Sequence, residues 1–120
     1  MGNLVSRSTY IGTIGELLVQ LRLFEYGVQA APPIKDSGND LIAIRGEVIK
    51  FIQVKTKDRS KSYSRKMPKI YHLVIYVDIK RGEKDKIMFD KSEVWVRGKS
   101  ESIRQKRELN KILVDEIWGN

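Results

Sequence analysis

The amino-acid sequence predicts an α/β fold in which a mixed β-sheet is flanked by helices. The chain opens with apolar residues at helical spacing, which predicts an amphipathic helix. Short, strongly apolar segments bounded by turn residues follow, and these are typical of strands. A chain of 120 residues is long enough for one modest hydrophobic core, so a single domain is expected over residues 1–120.

The first predicted helix begins at residues 6–8, where a serine can cap the first turn. Gly27 suits the left-handed conformation that often ends a helix. Residues 28–31 then predict a short strand before two prolines. The apolar stripe of the helix is predicted to consist of Ile14, Leu17, Leu18, Leu21 and Phe24.

Two strands and a tight turn form the next predicted unit. Residues 41–45 are almost wholly apolar, which predicts a strand covered on both faces. A turn at residues 46–47 leads into residues 48–57, which are expected to return antiparallel. The order of these segments predicts a β-hairpin.

This hairpin carries a polar group suited to Mg²⁺ chemistry. Asp40 stands at the head of the first strand. Side chains alternate along a strand, so Gln53 and Lys55 are predicted to share one face while Ile52 and Val54 point into the core. Carboxylate and amide oxygens can hold Mg²⁺ beside an ammonium group that faces a phosphate. An ordinary half-buried strand shows the same alternation, so this pattern alone does not establish a site.

The second half of the chain predicts a loop, two strands and a helix. Residues 58–69 are polar and are expected to form a mobile loop. Strands are predicted at residues 71–77 and 86–89, while the state of residues 90–96 stays open. Residues 101–118 predict a helix with an incomplete apolar stripe.

The charge of the chain predicts a polyanionic partner. The net charge is +8, from 23 basic and 15 acidic residues. Such a balance favours nucleic acid, although it also occurs in proteins that are merely soluble and basic. Tyr63 lies among the charges and could stack on a base. Asp58 is the only acid in the basic run that leaves Lys55, and the predicted DNA-binding residues of this run are Lys57, Arg59, Lys61, Arg65, Lys66 and Lys69.

Several classes of protein are excluded by composition. No cysteine is present, which excludes a disulfide framework and a thiolate zinc site. His72 is the sole histidine and is expected at a strand edge, so no serine or cysteine triad is predicted. The first residues carry no long apolar stretch, so we expect a cytoplasmic protein with no membrane partner.

Three segments together resemble the PD-(D/E)XK nuclease superfamily: residues 12–16, 36–43 and 52–56. They lie in about the first half of the chain and are most similar to small Holliday-junction-resolvase-like and intron-endonuclease-like members. Gln53 departs from the motif, since most members carry Glu or Asp there. The resemblance implies a restriction-endonuclease-like fold, a DNA substrate, and Mg²⁺ or Mn²⁺ as cofactor.

The resemblance also implies roles for the polar residues. Asp40 would bind Mg²⁺ directly, with the side-chain oxygen of Gln53 and the carbonyl of Val54 as further ligands. Glu16 would bind a water of the ion or a second ion, although a helix-start glutamate is equally well explained by the helix dipole. Lys55 would orient or deprotonate the attacking water during in-line phosphodiester hydrolysis.

Three functions remain open at this point. The first is a DNA endonuclease, selective for branched DNA or for a duplex site as in restriction and homing enzymes. The second is a catalytically inactive nucleic-acid-binding module on the same fold, which Gln53 favours. The third is a basic structural or RNA-binding protein. Asp36 is a rival metal ligand, although its sequence context more often marks a turn.

Paired strand incision by a single site per chain would require two copies. We therefore expect a homodimer. Trp95 and Trp118 are candidate interface residues, and core packing would explain them equally well.

Overall fold

A computed structural model describes residues 5–34, 38–59 and 62–119. Short 3₁₀ turns occur at Glu83–Asp85 and Glu101–Ile103. Ser6 caps the first helix, since its side chain accepts a hydrogen bond from the Thr9 N–H. Within the described residues, the helices and strands are α1 (Arg7–Glu25), β1 (Gln29–Ala31), β2 (Leu41–Arg45), β3 (Val48–Asp58), β4 (Leu73–Ile79), β5 (Glu93–Gly98), β6 (Arg107–Glu108) and α2 (Lys111–Trp118).

The strands form a mixed sheet whose spatial order follows the chain, from β1 to β6. β3 and β4 are parallel, with Val54 opposite Ile75 and Lys55 opposite Tyr76. Every other neighbouring pair is antiparallel, including the predicted hairpin of β2 and β3. The mixed sheet that the sequence predicted is therefore confirmed.

Both helices pack on one face of this sheet, the helix-covered face. Val54, Ile75 and Val96 share that face through the strand register and are all buried. They belong to the same core cluster as Leu18 of α1 and Trp118 of α2. Alternation of side chains sends the neighbouring residues of each strand to the opposite, open face.

The open face is covered in part by the connection from β3 to β4. A parallel pair needs a crossover, and residues 59–72 supply it. None of the described residues among them forms a helix or strand, so the predicted loop is present, although Asp58 still belongs to β3. The mobility of this loop stays a prediction. The Tyr63 ring lies over Tyr76, with 4.8 Å between ring centroids. Ile44 stays 42% exposed on this face, so the prediction that β2 is covered on both faces is wrong.

The side of α1 that packs on the sheet differs from the predicted stripe. The predicted stripe residues Leu17, Leu21 and Phe24 are exposed, by 57%, 59% and 69%. Gly15 instead faces the sheet, where a Cβ would overlap the Thr56 side chain. Because glycine carries no apolar side chain, hydrophobic periodicity gives no sign of this contact. The buried residues of α1 are Ile11, Gly15, Leu18, Val19 and Leu23.

The single helix predicted over residues 101–118 is wrong in its first half. α2 begins only at Lys111, where the Asn110 side chain accepts a 2.8 Å hydrogen bond from the Leu113 N–H. The preceding residues form β6, and the Leu109 N–H donates to the Val94 carbonyl at 2.9 Å. Pairing with the edge of β5 thus outweighs the local helix preference.

The predicted strand at residues 86–89 is also wrong, because only an isolated bridge between Arg81 and Ile87 forms there. The open segment at residues 90–96 contributes β5 instead.

The two tryptophans differ in environment. Trp118 is 3% exposed, and its indole N–H donates to the Ala43 carbonyl, so core packing is the alternative that applies to it. Trp95 lies half-buried on the open face. Neither α1 nor α2 is long and apolar enough to cross a membrane.

We expect Gly15→Ala to lower the free energy of unfolding by about 1–3 kcal/mol, since the added methyl group overlaps Thr56. Gly12→Ala is the matched control, because a Cβ there meets nothing within 4 Å and alanine favours the helix by roughly 0.5–1 kcal/mol. Urea unfolding followed by circular dichroism measures both variants. Equal stability of the two variants would contradict the close packing of α1 on β3.

Candidate active site

Asp40 is held against β3 by both its backbone and its side chain. Its N–H donates to the Ile52 carbonyl at 3.0 Å, and its Oδ2 accepts from the Val54 N–H at 2.8 Å. Backbone groups of alternate strand residues point to the same neighbour, so the Val54 carbonyl faces this edge as well. Two of the predicted metal ligands therefore meet where β2 begins.

An open cavity of about 540 Å³ lies between this edge and the first half of α1. The contact of Gly15 with Thr56 brings α1 close to β3, and the next residue, Glu16, lines the cavity. The predicted residues Glu16, Asp40, Gln53 and Val54 are thus brought together. The full lining consists of Arg7, Ser8, Ile11, Gly12, Glu16, Asp40, Gln53, Val54, Thr56, Lys57, Asp58 and Ser62.

The side-chain oxygen of Gln53 is buried and accepts no hydrogen bond from the described residues. An unsatisfied buried oxygen costs about 1–3 kcal/mol, so such groups usually face a ligand, an ion or a water molecule. Gln53 also lines the cavity, so this oxygen is a candidate for an additional ligand to a cation.

Two carboxylates of the cavity, those of Glu16 and Asp40, repel each other. Burial raises the pKa of Glu16, and the negative charge of Asp40 raises it further. A hard divalent cation removes this repulsion, and oxygen donors are its preferred ligands. No three His, Cys, Asp or Glu side chains cluster as a metal site in the described parts of the chain, so a cation here would depend on the oxygens of Gln53 and Val54.

Lys55 lies outside this cavity. Its side chain is 7% exposed and lines a neighbouring cavity of about 310 Å³ on the open face. The Lys55 ammonium donates a hydrogen bond to the Lys66 carbonyl of the crossover. Burial lowers the pKa of Lys55, the charge of Asp40 opposes that shift, and Lys66 adds to it. The charge of Asp40 therefore acts on both Glu16 and Lys55.

A cationic rim adjoins the carboxylates. Arg7 and Lys57 line the cavity, and Arg7 binds Asp58 at 2.6 Å. The Asp58 side chain is only 2% exposed and accepts two further hydrogen bonds from Arg81, at 2.9 and 2.8 Å. These bonds, together with the charges of Arg81 and Arg7, lower the pKa of Asp58. Arg7 was not predicted from the sequence as a site residue, because it lies 51 residues from Asp58 in the chain.

The predicted DNA-binding residues are spread over several environments. Arg59 pairs with Asp85, Arg65 lines the cavity around Lys55, and the side chains of Lys66 and Lys69 are exposed. Lys61 and Asp36 lie outside the described residues. Residues of the basic run thus lie both at the cavity beside α1 and on the open face of the sheet.

Two tyrosines on the open face contact cationic side chains from distant parts of the chain. Lys57 lies 4.8 Å and Lys106 5.7 Å from the centre of the Tyr63 ring, and Arg97 lies 5.6 Å from that of Tyr76. Burial and nearby acids raise the pKa of Tyr63 to about 12. No sequence signal marks Arg97 or Lys106, because only the pairing of β4, β5 and β6 brings them here.

His72 has a structural contact just before β4. Its Nδ1 accepts a hydrogen bond from the Phe51 N–H at 2.8 Å, and the two rings lie 5.2 Å apart. Burial and the charges of Lys50 and Lys99 lower the pKa of His72, which favours the neutral ring that accepts this bond. His72 does not line the cavity around Asp40.

We expect Glu16→Gln to raise the melting temperature at pH 7 in EDTA. The raised pKa of Glu16 means that the ionised side chain opposes folding above that pKa, and glutamine removes the charge. As the pH falls below the ordinary glutamate value of 4.5, the carboxyl is protonated in both states and the gain should vanish. Glu47→Gln, in the exposed β2–β3 turn, is the control. A loss of stability in Glu16→Gln at pH 7 would contradict this electrostatic description.

Comparison with known proteins identifies a fold. No protein-family model matches the sequence, and no curated protein matches it significantly. The structure is similar to that of a bacterial homing endonuclease, I-Ssp6803I, with a TM-score of 0.54 and 14% sequence identity. The similarity covers 88% of this chain and 79% of that chain. It confirms an endonuclease-like α/β fold, while membership of the PD-(D/E)XK superfamily stays a prediction.

Proposed function

We propose that this chain is a metal-dependent endonuclease that hydrolyses phosphodiester bonds in DNA. The observation that carries the proposal is one cavity that is lined by Glu16, Asp40 and Gln53 together with the cationic Arg7 and Lys57. The side-chain oxygen of Gln53 is buried and has no hydrogen-bond partner among the described residues. Oxygen donors suit a hard cation, and the cationic side chains suit a phosphate. A fold similar to that of a homing endonuclease supports DNA as the substrate class.

Mg²⁺ or Mn²⁺ would be held by the carboxylate of Asp40, the side-chain oxygen of Gln53 and the carbonyl of Val54. Glu16 would provide the second carboxylate from α1. The chemistry that such an ion supplies is polarisation of a phosphoryl oxygen. Together these donors carry two negative charges and two neutral oxygens, which is a usual set for an ion that also binds phosphate.

Lys55 would act on the attacking water from the open face of the sheet. Its lowered pKa eases loss of a proton, which suits a group that orients water or takes part in proton transfer. The Lys66 carbonyl must first release the ammonium, so DNA binding to the crossover and the action of Lys55 would be coupled. Arg7 and Lys57 would hold a phosphate of the strand in line for attack.

The selectivity of the enzyme is tested by incubating it with plasmid, linear duplex and four-way-junction DNA, each with Mg²⁺, Mn²⁺ or EDTA. Paired symmetric nicks in the junction would support a resolvase-like homodimer. Cleavage of a duplex at one site would support a restriction- or homing-type enzyme. Cleavage that persists in EDTA would contradict metal dependence.

A second candidate is a catalytically inactive DNA-binding module on the same fold. Two observations favour it: Gln53 offers a neutral oxygen where a carboxylate would bind Mg²⁺ more strongly, and Lys55 lies outside the cavity. Calorimetric titration with Mg²⁺ separates the candidates. DNA binding without either metal binding or cleavage would establish the inactive module.

We expect Asp40→Asn to abolish cleavage while DNA affinity stays equal or rises. Asparagine keeps an oxygen that can accept from the Val54 N–H, so the hairpin is preserved while the charge is lost. Removing an acid from a cationic surface does not weaken phosphate binding. Asp90→Asn, an exposed carboxylate outside the cavity, is the control for cleavage assays and binding titrations. Wild-type cleavage rates in Asp40→Asn would overturn the assignment.

We expect the double variant Arg65→Ala/Lys66→Ala to bind all DNA sequences more weakly. Each lost phosphate contact should reduce the slope of log affinity against log salt by about 0.9. The backbone carbonyl of Lys66 is retained, so its bond to Lys55 is kept. Lys86→Ala/Lys91→Ala removes two exposed charges elsewhere and should leave the slope unchanged. Equal slopes in the two double variants would exclude the crossover from the DNA interface.

A further inference from the structure

α1 carries a second apolar stripe on the side that faces away from the sheet. Its residues are Tyr10, Ile14, Leu17, Leu21 and Phe24. Four of them are exposed: Tyr10 by 51%, Leu17 by 57%, Leu21 by 59% and Phe24 by 69%. The hydrophobic core contacts this stripe only through the partly buried Ile14, and it otherwise packs against the opposite side of the helix.

The spacing along this outer stripe is four, three, four and three residues. Such alternation places every member on one narrow seam, as in helices that pair side by side. A helix that is apolar on two sides is normally covered on both. The spacing therefore indicates another helix as the covering element.

A neighbouring loop widens the apolar surface. The Arg22 guanidinium donates to the carbonyls of Phe89 and Ser92, at 2.8 and 2.9 Å. Phe89, 52% exposed, thereby lies beside Leu17 and Leu21. A large apolar side chain has a surface of about 200 Å². The exposed fractions of the four stripe residues and of Phe89 therefore correspond to roughly 500 Å² of apolar surface on each copy. Two such surfaces meet the lower limit of about 1,000 Å² for a specific interface.

Charge identifies the partner. Glu16, which lines the cavity, is the only charged residue from position 8 to position 21, although the chain carries +8 overall. Between these positions the stripe offers no cation to DNA or to an anionic membrane, and Arg22, near its end, is bonded to the carbonyls of Phe89 and Ser92. Thr13 and Gln20, which flank the seam, are neutral, so two cationic copies can meet here without opposing like charges.

We propose that the outer stripe of α1 is a homodimer interface in which α1 of one copy packs against α1 of a second copy, with the two Leu17 side chains at its centre. A two-fold interface joins the same patch on both copies, and this seam is self-complementary. Glu16 lies on the same helix, so the dimer carries two cavities on either side of one helix pair. That last consequence rests on the proposed function, whereas the interface itself does not.

The oligomeric state is measured by sedimentation equilibrium without DNA or divalent metal. The wild-type chain is expected at twice its mass of 13.9 kDa. Leu17→Glu/Leu21→Glu should raise the dissociation constant of the dimer by about a hundredfold or more. The double variant replaces four leucines of the proposed interface, two from each copy, by charges. Ile112→Glu changes a residue of α2 that is 69% exposed and should leave the dimer intact. Circular dichroism melts establish that each variant is folded.

The interface would be overturned by a monomeric wild-type chain, or by a double variant that dimerises as well as Ile112→Glu. Covalent trapping gives an independent measurement, since the chain contains no cysteine. Leu17→Cys should form a disulfide-linked dimer on oxidation, whereas Ile112→Cys should stay monomeric. A dimer that cleaves no DNA would refute the proposed function and leave this interface standing. Cleavage by a monomer would support the proposed function and refute this interface.

Discussion

The contact of Gly15 with the Thr56 side chain determines how α1 lies on the sheet, and most other features of the molecule depend on it. A side chain at position 15 would overlap Thr56, so only glycine lets the helix approach β3 this closely. The approach points Glu16 into the cavity beside Asp40. It also sets the rotation of α1, which buries Leu18 and leaves Leu17 on the side that faces away from the sheet.

The electrostatic arrangement of the cavity supports the proposed binding of a cation and a phosphate. The carboxylates of Glu16 and Asp40 stand close enough for the charge of one to raise the pKa of the other. Arg7 and Lys57 lie at the same cavity, and the buried Asp58 holds Arg7 in place. Asp58 therefore does not weaken the basic run that surrounds it. It positions an arginine, and that arginine comes from the start of α1.

The crossover between β3 and β4 links the two faces of the sheet. A parallel pair is usually joined through a helix, whereas here a polar, basic segment passes over the open face. Its Lys66 carbonyl covers Lys55, and Tyr63 packs on Tyr76. Because the same segment carries several of the predicted DNA contacts, the proposed binding of DNA to the crossover would be coupled to release of Lys55.

Local patterns were sufficient to predict the hairpin and the polar residues on it. Alternation along β3 separates Ile52 and Val54 from Gln53 and Lys55, since adjacent side chains of any strand point to opposite faces. Turn chemistry and the apolar runs likewise gave β2, β4 and the start of α1. These features depend on residues that are neighbours in the chain, and so the sequence alone carries them.

Features that depend on distant residues required the tertiary structure. The apolar residues of α1 form two stripes, and either could be buried. The contact of Gly15 with Thr56, 41 positions away, decided which stripe packs on the sheet. Residues 107–109 prefer a helix locally, yet Arg107 and Glu108 pair with β5 as a strand, and the Leu109 N–H donates to the Val94 carbonyl. Lys55 was expected among the carboxylates, but the fold of the crossover binds its ammonium elsewhere. The sequence by itself determined which side chains share a strand face. Only the tertiary structure decided which of those faces meet, because long-range packing and backbone pairing outweigh local preference.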